Sequence, residues 1–313
     1  MIRPTAVRRD PTLSWSAVLL ALSVVTVPVG AQKPSDPGHR VDRRFAVASD
    51  ASIRLFGGFS RLRIIGWDRD SLVITGTMAR GTRLEGNAMS NALGAPRGAK
   101  FFIDAPEGTD ASGAMLEVRV PANARVWAKS GSADIEVTGV TGGLDLNIVG
   151  GSVTVNSTPR ELNIESMDGN VKVLAGAGWL RVKTATGEID VRGSAEDVGL
   201  SSVGGTIRLT GGRYERGKFE TVTGDIACEG EIGFRGSLDL ITHSGRVELR
   251  APPRPDLELD ATTVTGTIEN TLTSRRPIAG REGRGMELAF SSGSGDTRVV
   301  VRSFKGNVVV RLR

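Results

Sequence analysis

The chain has 313 residues, with 40 Lys and Arg against 35 Asp and Glu and a formal net charge of +5. Aromatic residues make up only 4% and no basic run interleaves with them, so nucleic-acid binding is not indicated. A single cysteine, Cys228, excludes an intramolecular disulfide framework. Glycine contributes 41 residues, above the usual share of about 7%, and short runs rich in Val, Ile and Thr predominate. The composition therefore indicates an all-β chain.

The N-terminal segment, residues 1–31, is typical of an export signal. Three arginines precede an apolar stretch from Trp15 to Val29, and the small residues ending at Ala31 resemble a cleavage site. A membrane span needs about twenty apolar residues, so cleavage is favoured, although an uncleaved anchor stays open as the alternative. Residues 32–44 are predicted to form a flexible leader. We expect the protein in the periplasm, on the outer cell surface or secreted, with no stable transmembrane segment after cleavage.

Residues 45–125 are predicted to form an N-terminal coil with capping hairpins. The coil is indicated by apolar residues that alternate with polar ones on either side of Ser60, namely Ile53, Leu55, Leu62 and Ile64. Short apolar runs farther along alternate with turn residues, and they are expected to form hairpins that cover the open edge of this coil. Covering such an edge prevents unwanted strand pairing with other chains.

An internal repeat extends over residues 126–313. Its marker is a turn residue followed by a short β-branched run, as in Gly151-Ser-Val-Thr-Val155 and Gly187-Glu-Ile-Asp-Val191. The marker recurs every eighteen residues at first and less regularly later, which predicts nine units. The predicted markers are Ala133, Gly151, Gly169, Gly187, Gly205, Gly224, Gly245, Gly266 and Gly295. An inserted loop is expected at residues 273–286, and Val308–Leu312 is expected to close the far end.

Alignment on the marker gives columns of one chemical kind. Two positions after the marker the residues are apolar, apart from the last: Ile135, Val153, Val171, Ile189, Ile207, Ile226, Val247, Ile268 and Thr297. Three positions before it, hydroxyl side chains recur at a predicted corner, where they can satisfy turn backbone groups. Each unit therefore holds two short strands that alternate inward and outward.

Stacking of these units predicts a right-handed parallel β-solenoid of about ten short coils, capped at the N-terminal end by irregular β-hairpins. One unit cannot bury its apolar side alone, whereas units stacked in register can. A sandwich built from hairpins or a Greek key is the alternative architecture.

The residues that could carry chemistry fit structural roles better. Cys228 falls in an inward column, and His243 falls in a corner column with Val149, Met167, Val203, Val222 and Val264, so both are expected to pack. Asp134, Asp225 and Asp296 follow their markers, but the repeat lacks the dense ligand spacing of calcium-binding repeats. No metal or cofactor is therefore predicted.

Two sets of residues are candidates for contact with a partner. Trp127 and Trp179 are predicted to lie outside or at corners, where an indole can stack on a sugar or a partner chain. The loop at 273–286 carries Arg275, Arg276, Arg281 and Arg284, which would attract anionic glycans or lipid headgroups. The structural alternatives are rim packing for the tryptophans and a solvated loop for the arginines.

The sequence resembles the bacterial putative-adhesin family of exported β-strand-repeat proteins, a domain family of unknown function. The resemblance rests on Ile53–Trp67, on Val118-Arg-Val-Pro121, and on the repeated Ser/Thr-x-Ser/Thr-Gly-x-Val/Ile-x-Val pattern, as in Thr184–Val191. It covers nearly the whole chain after the export segment. It implies attachment at the cell envelope and supplies no catalytic residues.

The sequence thus favours a non-catalytic scaffold or binding protein of the envelope, with an unknown protein or glycan partner and unknown oligomeric state. The alternative is a carbohydrate-active enzyme, a polysaccharide lyase or hydrolase of the β-helix type, using Asp239 and Asp260. These two acids occupy one outward column in successive predicted units, where mutual repulsion would raise one pKa. Loss of glycan turnover on substitution of either acid would distinguish the enzyme from the scaffold.

Overall fold

A computed structural model describes residues 38–89, 96–104, 113–253, 255–280 and 283–313. The predicted export segment, residues 1–31, and Arg281 lie outside these ranges. Within them the chain is all-β, as predicted. The described residues contain no helix with the length and apolar character needed to cross a membrane.

The strands are short and follow one another closely. In the N-terminal part they are β1 His39–Ala46, β2 Ser52–Phe56, β3 Phe59–Trp67, β4 Ser71–Met78, β5 Arg83–Met89, β6 Gly98–Asp104 and β7 Ala114–Pro121. The middle contains β8 Arg125–Thr138, β9 Gly143–Asn156, β10 Glu161–Ser166, β11 Asn170–Val173, β12 Ala177–Thr184, β13 Ile189–Arg192, β14 Ala195–Ser202, β15 Ile207–Thr221 and β16 Ile226–Thr242. The last strands are β17 Val247–Ala251, β18 Leu257–Thr263, β19 Ile268–Asn270, β20 Ile278–Ala279, β21 Met286–Ser292, β22 Arg298–Ser303 and β23 Val308–Leu312.

Successive units of the middle stack in parallel, as a solenoid-like fold requires. In the first ladder, β9, β10, β12 and β14 pair in register, so that Leu144, Leu162, Leu180 and Val198 lie side by side. In the second ladder, β9, β11, β13 and β15 pair in the same way. Each coil contributes one strand to each ladder, and β8, β9, β15 and β16 are long enough to serve both. The inward residues of both ladders form one apolar core.

The corner between the two ladders is held by the hydroxyl column that the sequence predicts. Ser166, Ser202 and Thr242 are buried, and each hydroxyl oxygen accepts a hydrogen bond from the marker N–H three residues later, at 2.8 to 3.0 Å. The marker must be small because the backbone of the preceding coil passes close to it. A Cβ at Gly245 would lie 1.8 Å from the carbonyl oxygen of Gly224.

The N-terminal end departs from the predicted order. The coil of β2 and β3 exists, but it does not form the edge of the stack. β2 pairs in parallel with β8 on one side and β6 on the other, and β3 does the same with β8 and β7. The coil of residues 52–67 is therefore inserted between the coil of β6 and β7 and the coil of β8. The antiparallel strands β1, β4 and β5 provide the outer covering, and β1 begins at His39, inside the predicted leader.

The C-terminal end shows a second insertion, and it corrects the ninth unit. β22 pairs in parallel with β16 and with β18, and β23 pairs with β17 and β19. Val308–Leu312 therefore does not close the stack but lies inside it, between the coils of residues 237–251 and 257–270. The true ninth marker is Gly306, which packs on Gly245, whereas Gly295 lies in a turn with φ +74°. Residues 286–292, expected to start the ninth unit, form the antiparallel strand β21 on the outermost coil.

Candidate functional site

The outward surface of the first ladder carries one continuous column through Trp127. In successive coils the column contains Lys100, Arg54, Trp127, Asp145, Asn163 and Arg181. Side chains of one column lie about 4.8 Å apart because that is the distance between hydrogen-bonded strands. Aromatic, amide, carboxylate and guanidinium groups are thus brought onto one sheet surface.

Trp127 is half-buried and held on two sides. The edge of its indole meets the Phe56 ring at a centroid distance of 5.2 Å, and the Arg54 guanidinium lies 5.5 Å from the ring centroid. Lys100 lies over the other aromatic of this group, 5.5 Å from the Phe56 centroid. The Trp127 indole nitrogen is buried and has no hydrogen-bond partner among the described residues. The residue therefore presents an aromatic surface and not a polar edge.

Trp179 is the more accessible tryptophan, with 41% of its surface exposed. Arg181 packs over its ring with a guanidinium-to-centroid distance of 4.4 Å. The same guanidinium forms an ion pair with Asp197 at 2.6 Å, so Arg181 is fixed in place. Burial acts to raise the pKa of Asp197, but hydrogen bonds from Arg181 and Arg216 outweigh it and lower the pKa below its ordinary value. Asp197 therefore stays ionised and keeps Arg181 against the indole.

The space between the two tryptophans is polar. Asp145 accepts hydrogen bonds from Asn147 at 2.6 Å and from Asn163 at 3.5 Å. Trp127 and Trp179 belong to coils three steps apart, which places them roughly 14 Å from one another along the stack. We call Arg54, Trp127, Asp145, Asn163, Trp179 and Arg181 the aromatic patch.

The predicted arginine loop lies elsewhere. Arg275, Arg276 and Arg284 are exposed beyond β19, and the first two line a shallow depression with Ile278 and Phe290. This loop follows the outermost coil of the C-terminal end, whereas Trp127 lies next to the inserted coil of the N-terminal end. The structure therefore does not bring the tryptophans and the arginines into one site.

The paired acids of the enzyme alternative are not neighbours. Asp239 is in register with Val300, and Val300 is in register with Asp260, because β22 lies between the two strands. The expected adjacency was wrong for the same reason as the ninth unit. The inserted coil holds the two carboxylates about 10 Å apart, which is twice the distance between neighbouring strands. No group of three or more His, Cys, Asp or Glu side chains among the described residues is arranged to hold a metal ion.

The structure confirms the predicted burial of Cys228 but not that of His243. Cys228 is buried as predicted, and burial raises the pKa of its thiol to about 12. His243 is exposed, which corrects the expectation that its column packs in the corner. Its ring stacks on Phe304 at a centroid distance of 5.0 Å, because the inserted coil places Phe304 in the next position. The apolar members of this column are exposed as well.

Comparisons with known proteins give one family model and several solved structures. The family model described as Toastrack DUF4097 matches residues 114–311. Among solved structures, a putative adhesin from Parabacteroides merdae is 12% identical with a TM-score of 0.45, and the match covers 88% of this chain and 97% of that one. A putative adhesin from Bacteroides fragilis, with the same identity and coverage, has a TM-score of 0.40. A putative lipid binding protein from Parabacteroides distasonis is 10% identical with a TM-score of 0.45, over 88% of this chain and 98% of that one. No curated protein sequence matches the chain.

Proposed function

The chain belongs to the Toastrack DUF4097 family, a family of adhesin-like domains, and we propose that it is a non-catalytic glycan-binding protein of the cell envelope. The observation that carries this proposal is the aromatic patch on the outward surface of the first ladder. The proposal includes export through the segment at residues 1–31, to the periplasm or beyond. It also retains the right-handed winding of about ten coils expected from the repeat.

The chemistry of the patch suits a sugar chain. A pyranose ring has an apolar surface of C–H groups, which a flat indole can cover, and a rim of hydroxyls that need hydrogen-bond partners. Trp179 offers the exposed ring, while Asn163 in the adjacent coil and Asp145 in the coil beyond it offer donors and acceptors. The patch carries charges of both signs, and each is engaged: Arg54 lies over Trp127, two amides bind Asp145, and Arg181 is paired with Asp197. This mixed charge suits a neutral glycan better than a polyanion such as nucleic acid, whose binding depends on clustered cations.

The patch is also poorly suited to cleaving what it binds. General acid–base catalysis needs a group whose pKa lies near the working pH and which reaches the reacting atom. The first-ladder acid with a clearly altered pKa is Asp197, whose pKa is lowered, so it is a poor proton donor at neutral pH. The separation of Asp239 from Asp260 removes the adjacent pair of carboxylates on which the enzyme alternative depended.

The test is binding of purified peptidoglycan and of an array of defined oligosaccharides. We expect Trp179→Ala to weaken binding about tenfold, because a truncated aromatic contact typically costs more than 1 kcal/mol. Trp127→Phe should weaken it less while preserving the contact with Phe56. Circular dichroism would verify that both variants stay folded.

The matched control is the double variant Arg275→Ala/Arg276→Ala, which removes the other predicted contact set. Unchanged glycan binding by this control, together with weakened binding by Trp179→Ala, supports the aromatic patch as the binding site. If only the arginine variant lost glycan binding, the contact would lie at the C-terminal loop, and the proposal would be contradicted. Release of reducing ends from the glycan, abolished by Asp239→Asn or Asp260→Asn, would instead show an enzyme.

A further inference from the structure

The exposed corner between the two ladders forms an apolar ridge along the stack. Six of its side chains are 41–56% exposed although they are Val, Met or Phe. In stacking order the corner ridge contains Val149, Met167, Ala185, Val203, Val222, His243, Phe304 and Val264. At about 4.8 Å per coil the ridge is roughly 34 Å long. Monomeric soluble proteins seldom expose so continuous an apolar strip, so the ridge is expected to be covered.

The ridge is complementary in shape to its own reverse. Two positions with no side chain, Gly58 and Gly131, continue it toward the N-terminal end. When the series is laid against itself in reverse, with the centre between Met167 and Ala185, three of four facing pairs join a large residue to a small one. The facing pairs are Met167 with Ala185, Val149 with Val203, Gly131 with Val222, and Gly58 with His243. Met167, the longest side chain near the centre, thus meets Ala185, the smallest side chain of the ridge, and the fourth pair joins two valines.

The column beside the ridge is complementary to its own reverse as well. In stacking order this flank column contains Phe56, Lys129, Asn147, Glu165, Lys183, Ser201, Glu220 and Ile241. The same reversal pairs Glu165 with Lys183, Asn147 with Ser201, Lys129 with Glu220, and Phe56 with Ile241. Two of these pairs join opposite charges, one joins hydrogen-bonding groups and one joins apolar groups. No pair joins like charges.

We propose that two copies of this chain associate through the corner ridge in an antiparallel arrangement, with the twofold axis between the coils of Met167 and Ala185. Such an axis, perpendicular to the ridge and lying in the interface, makes each flank column face itself in reverse, and the contact is closed because both copies use the same surface. A groove of about 440 Å³ between the ridge and the flank column, lined by Lys129, Val149 and Lys183 among others, accommodates Met167 of the second copy.

The dimensions fit a contact at the small end of specific interfaces. The paired strip from Gly58 to His243, with the flank column beside it, is about 34 Å long and about 13 Å wide, because outward residues of a strand lie about 6.7 Å apart. It covers roughly 450 Å² before side-chain relief is counted, against ~800 Å² per partner in a standard interface, so we expect a concentration-dependent dimer. The aromatic patch lies on the next outward columns of the first ladder and stays uncovered. Association does not depend on the glycan proposal, since none of the ridge residues belongs to the patch.

Sedimentation velocity of the purified protein over a concentration series tests the proposal. We expect the natural chain to form a dimer and Met167→Asp to raise the dissociation constant at least about a hundredfold, because a short charged side chain would replace the apolar one that fills the groove. The matched control is Phe234→Asp, which places the same charge at a 62% exposed aromatic away from the ridge. Its dissociation constant should equal that of the natural chain.

A charge exchange tests the orientation. Lys129→Glu and Glu220→Lys should each weaken association about tenfold, because each brings two like-charged pairs together across the axis. The double variant Lys129→Glu/Glu220→Lys should return to within about twofold of the natural chain. Within one chain these residues lie five coils apart, roughly 24 Å, so restoration cannot come from an internal ion pair.

Three results would overturn the proposal. The natural chain could be monomeric throughout the series, or Met167→Asp could dimerise like the Phe234→Asp control. The double exchange could fail to restore an association that both single exchanges weaken. Binding of a monomeric natural chain to neutral phosphatidylcholine vesicles, lost in Met167→Asp, would assign the ridge to a lipid surface instead. Glycan binding by Trp179→Ala is measured separately, so failure of either proposal leaves the other testable.

Discussion

The middle of the stack and its two ends use the same kind of coil but connect it differently. From β9 to β15 each coil pairs with the coil that precedes it and the coil that follows it in sequence. At the ends, residues 52–67 and 298–312 are each inserted between two coils that are consecutive with one another in the chain. The stability of the middle is therefore a sum of nearest-neighbour contacts. The ends instead depend on contacts that close long loops.

This difference bears on how a solenoid protects its termini. In a stack that follows chain order, the last coil has one neighbour and can peel away by itself, and terminal segments are usually where order is lost. Here the inserted C-terminal coil has a neighbour on each side, and Val299, Val301, Val308 and Val310 are fully buried. Opening it requires separation of two interfaces. Closing it carries the entropic cost of a long loop, which slows folding more than it reduces stability.

The largest effect is expected from removal of residues 298–313. The coils of residues 237–251 and 257–270 would both lose a parallel partner, and their apolar inward residues would face a gap. We expect loss of cooperative folding in the C-terminal third. Thermal unfolding by circular dichroism and labelling of Cys228, whose buried thiol should be unreactive at pH 8 in the natural chain, would measure it.

The matched deletion in the middle should do much less harm. Removal of residues 175–192 takes out one eighteen-residue coil, and the strands on either side, β10 and β14, present the same inward pattern to each other. We expect a folded protein whose melting temperature falls by only about 5 °C. If the two deletions melt alike, the C-terminal coil is not built into the stack as described.

A smaller effect is expected at a single marker glycine. A Cβ at Gly306 would lie 1.8 Å from the carbonyl oxygen of Gly245, so Gly306→Ala should cost about 2–4 kcal/mol of unfolding free energy. The control is Gly131→Ala, where the added Cβ meets no atom within 4 Å and the cost should be about 0.5 kcal/mol or less. Urea unfolding of both variants compares them. Equal costs would contradict the packing of Gly306 on Gly245.

The sequence predicted what lies inside each coil better than which coils are neighbours. Alternation with period two identified the inward residues from Ile135 to Leu249, because a strand buried on one side alternates apolar and polar residues in its sequence. It did not reveal the insertion, because Gly295 and Gly306 both precede β-type runs. The signal was present in the column two positions after the marker, which Val308 after Gly306 fits and Thr297 after Gly295 does not. Gly295 is the nearer match along the chain, whereas parallel strands pair by proximity in space and not by order in the sequence.

The candidate site shows the same limit. The sequence predicts Trp127 and Trp179 on the outside from their positions in the repeat. It does not predict the contact of Arg54 with Trp127, because strands β3 to β7 separate these two residues in the chain. His243 was misjudged because a corner residue is neither inward nor outward in a two-residue period. A column of valines there resembles a core, although its side chains point to solvent.

The smallest expected effect concerns two acids that bridge arginines, one at the C-terminal end and one in the middle. Glu248 accepts hydrogen bonds from Arg250 at 2.5 Å and from Arg311 of the inserted coil. Burial acts to raise the pKa of Glu248, but these two arginines outweigh it and lower the pKa below the ordinary value of 4.5. Asp197 is its counterpart in the middle, with Arg181 and Arg216 from adjacent coils.

Because the folded-state pKa of both acids is lowered, their contribution to stability is present above the ordinary pKa and is lost as the pH falls through the lowered value. Glu248→Gln and Asp197→Asn should each cost about 0.5–1 kcal/mol at pH 7, and the difference from the natural chain should disappear in acid. Urea unfolding at several pH values would measure this. Only Glu248→Gln should also speed amide exchange in β23, because only this acid fastens the inserted coil. Equal exchange of β23 in both variants would show that Arg311 contributes nothing to holding the C-terminal end in place.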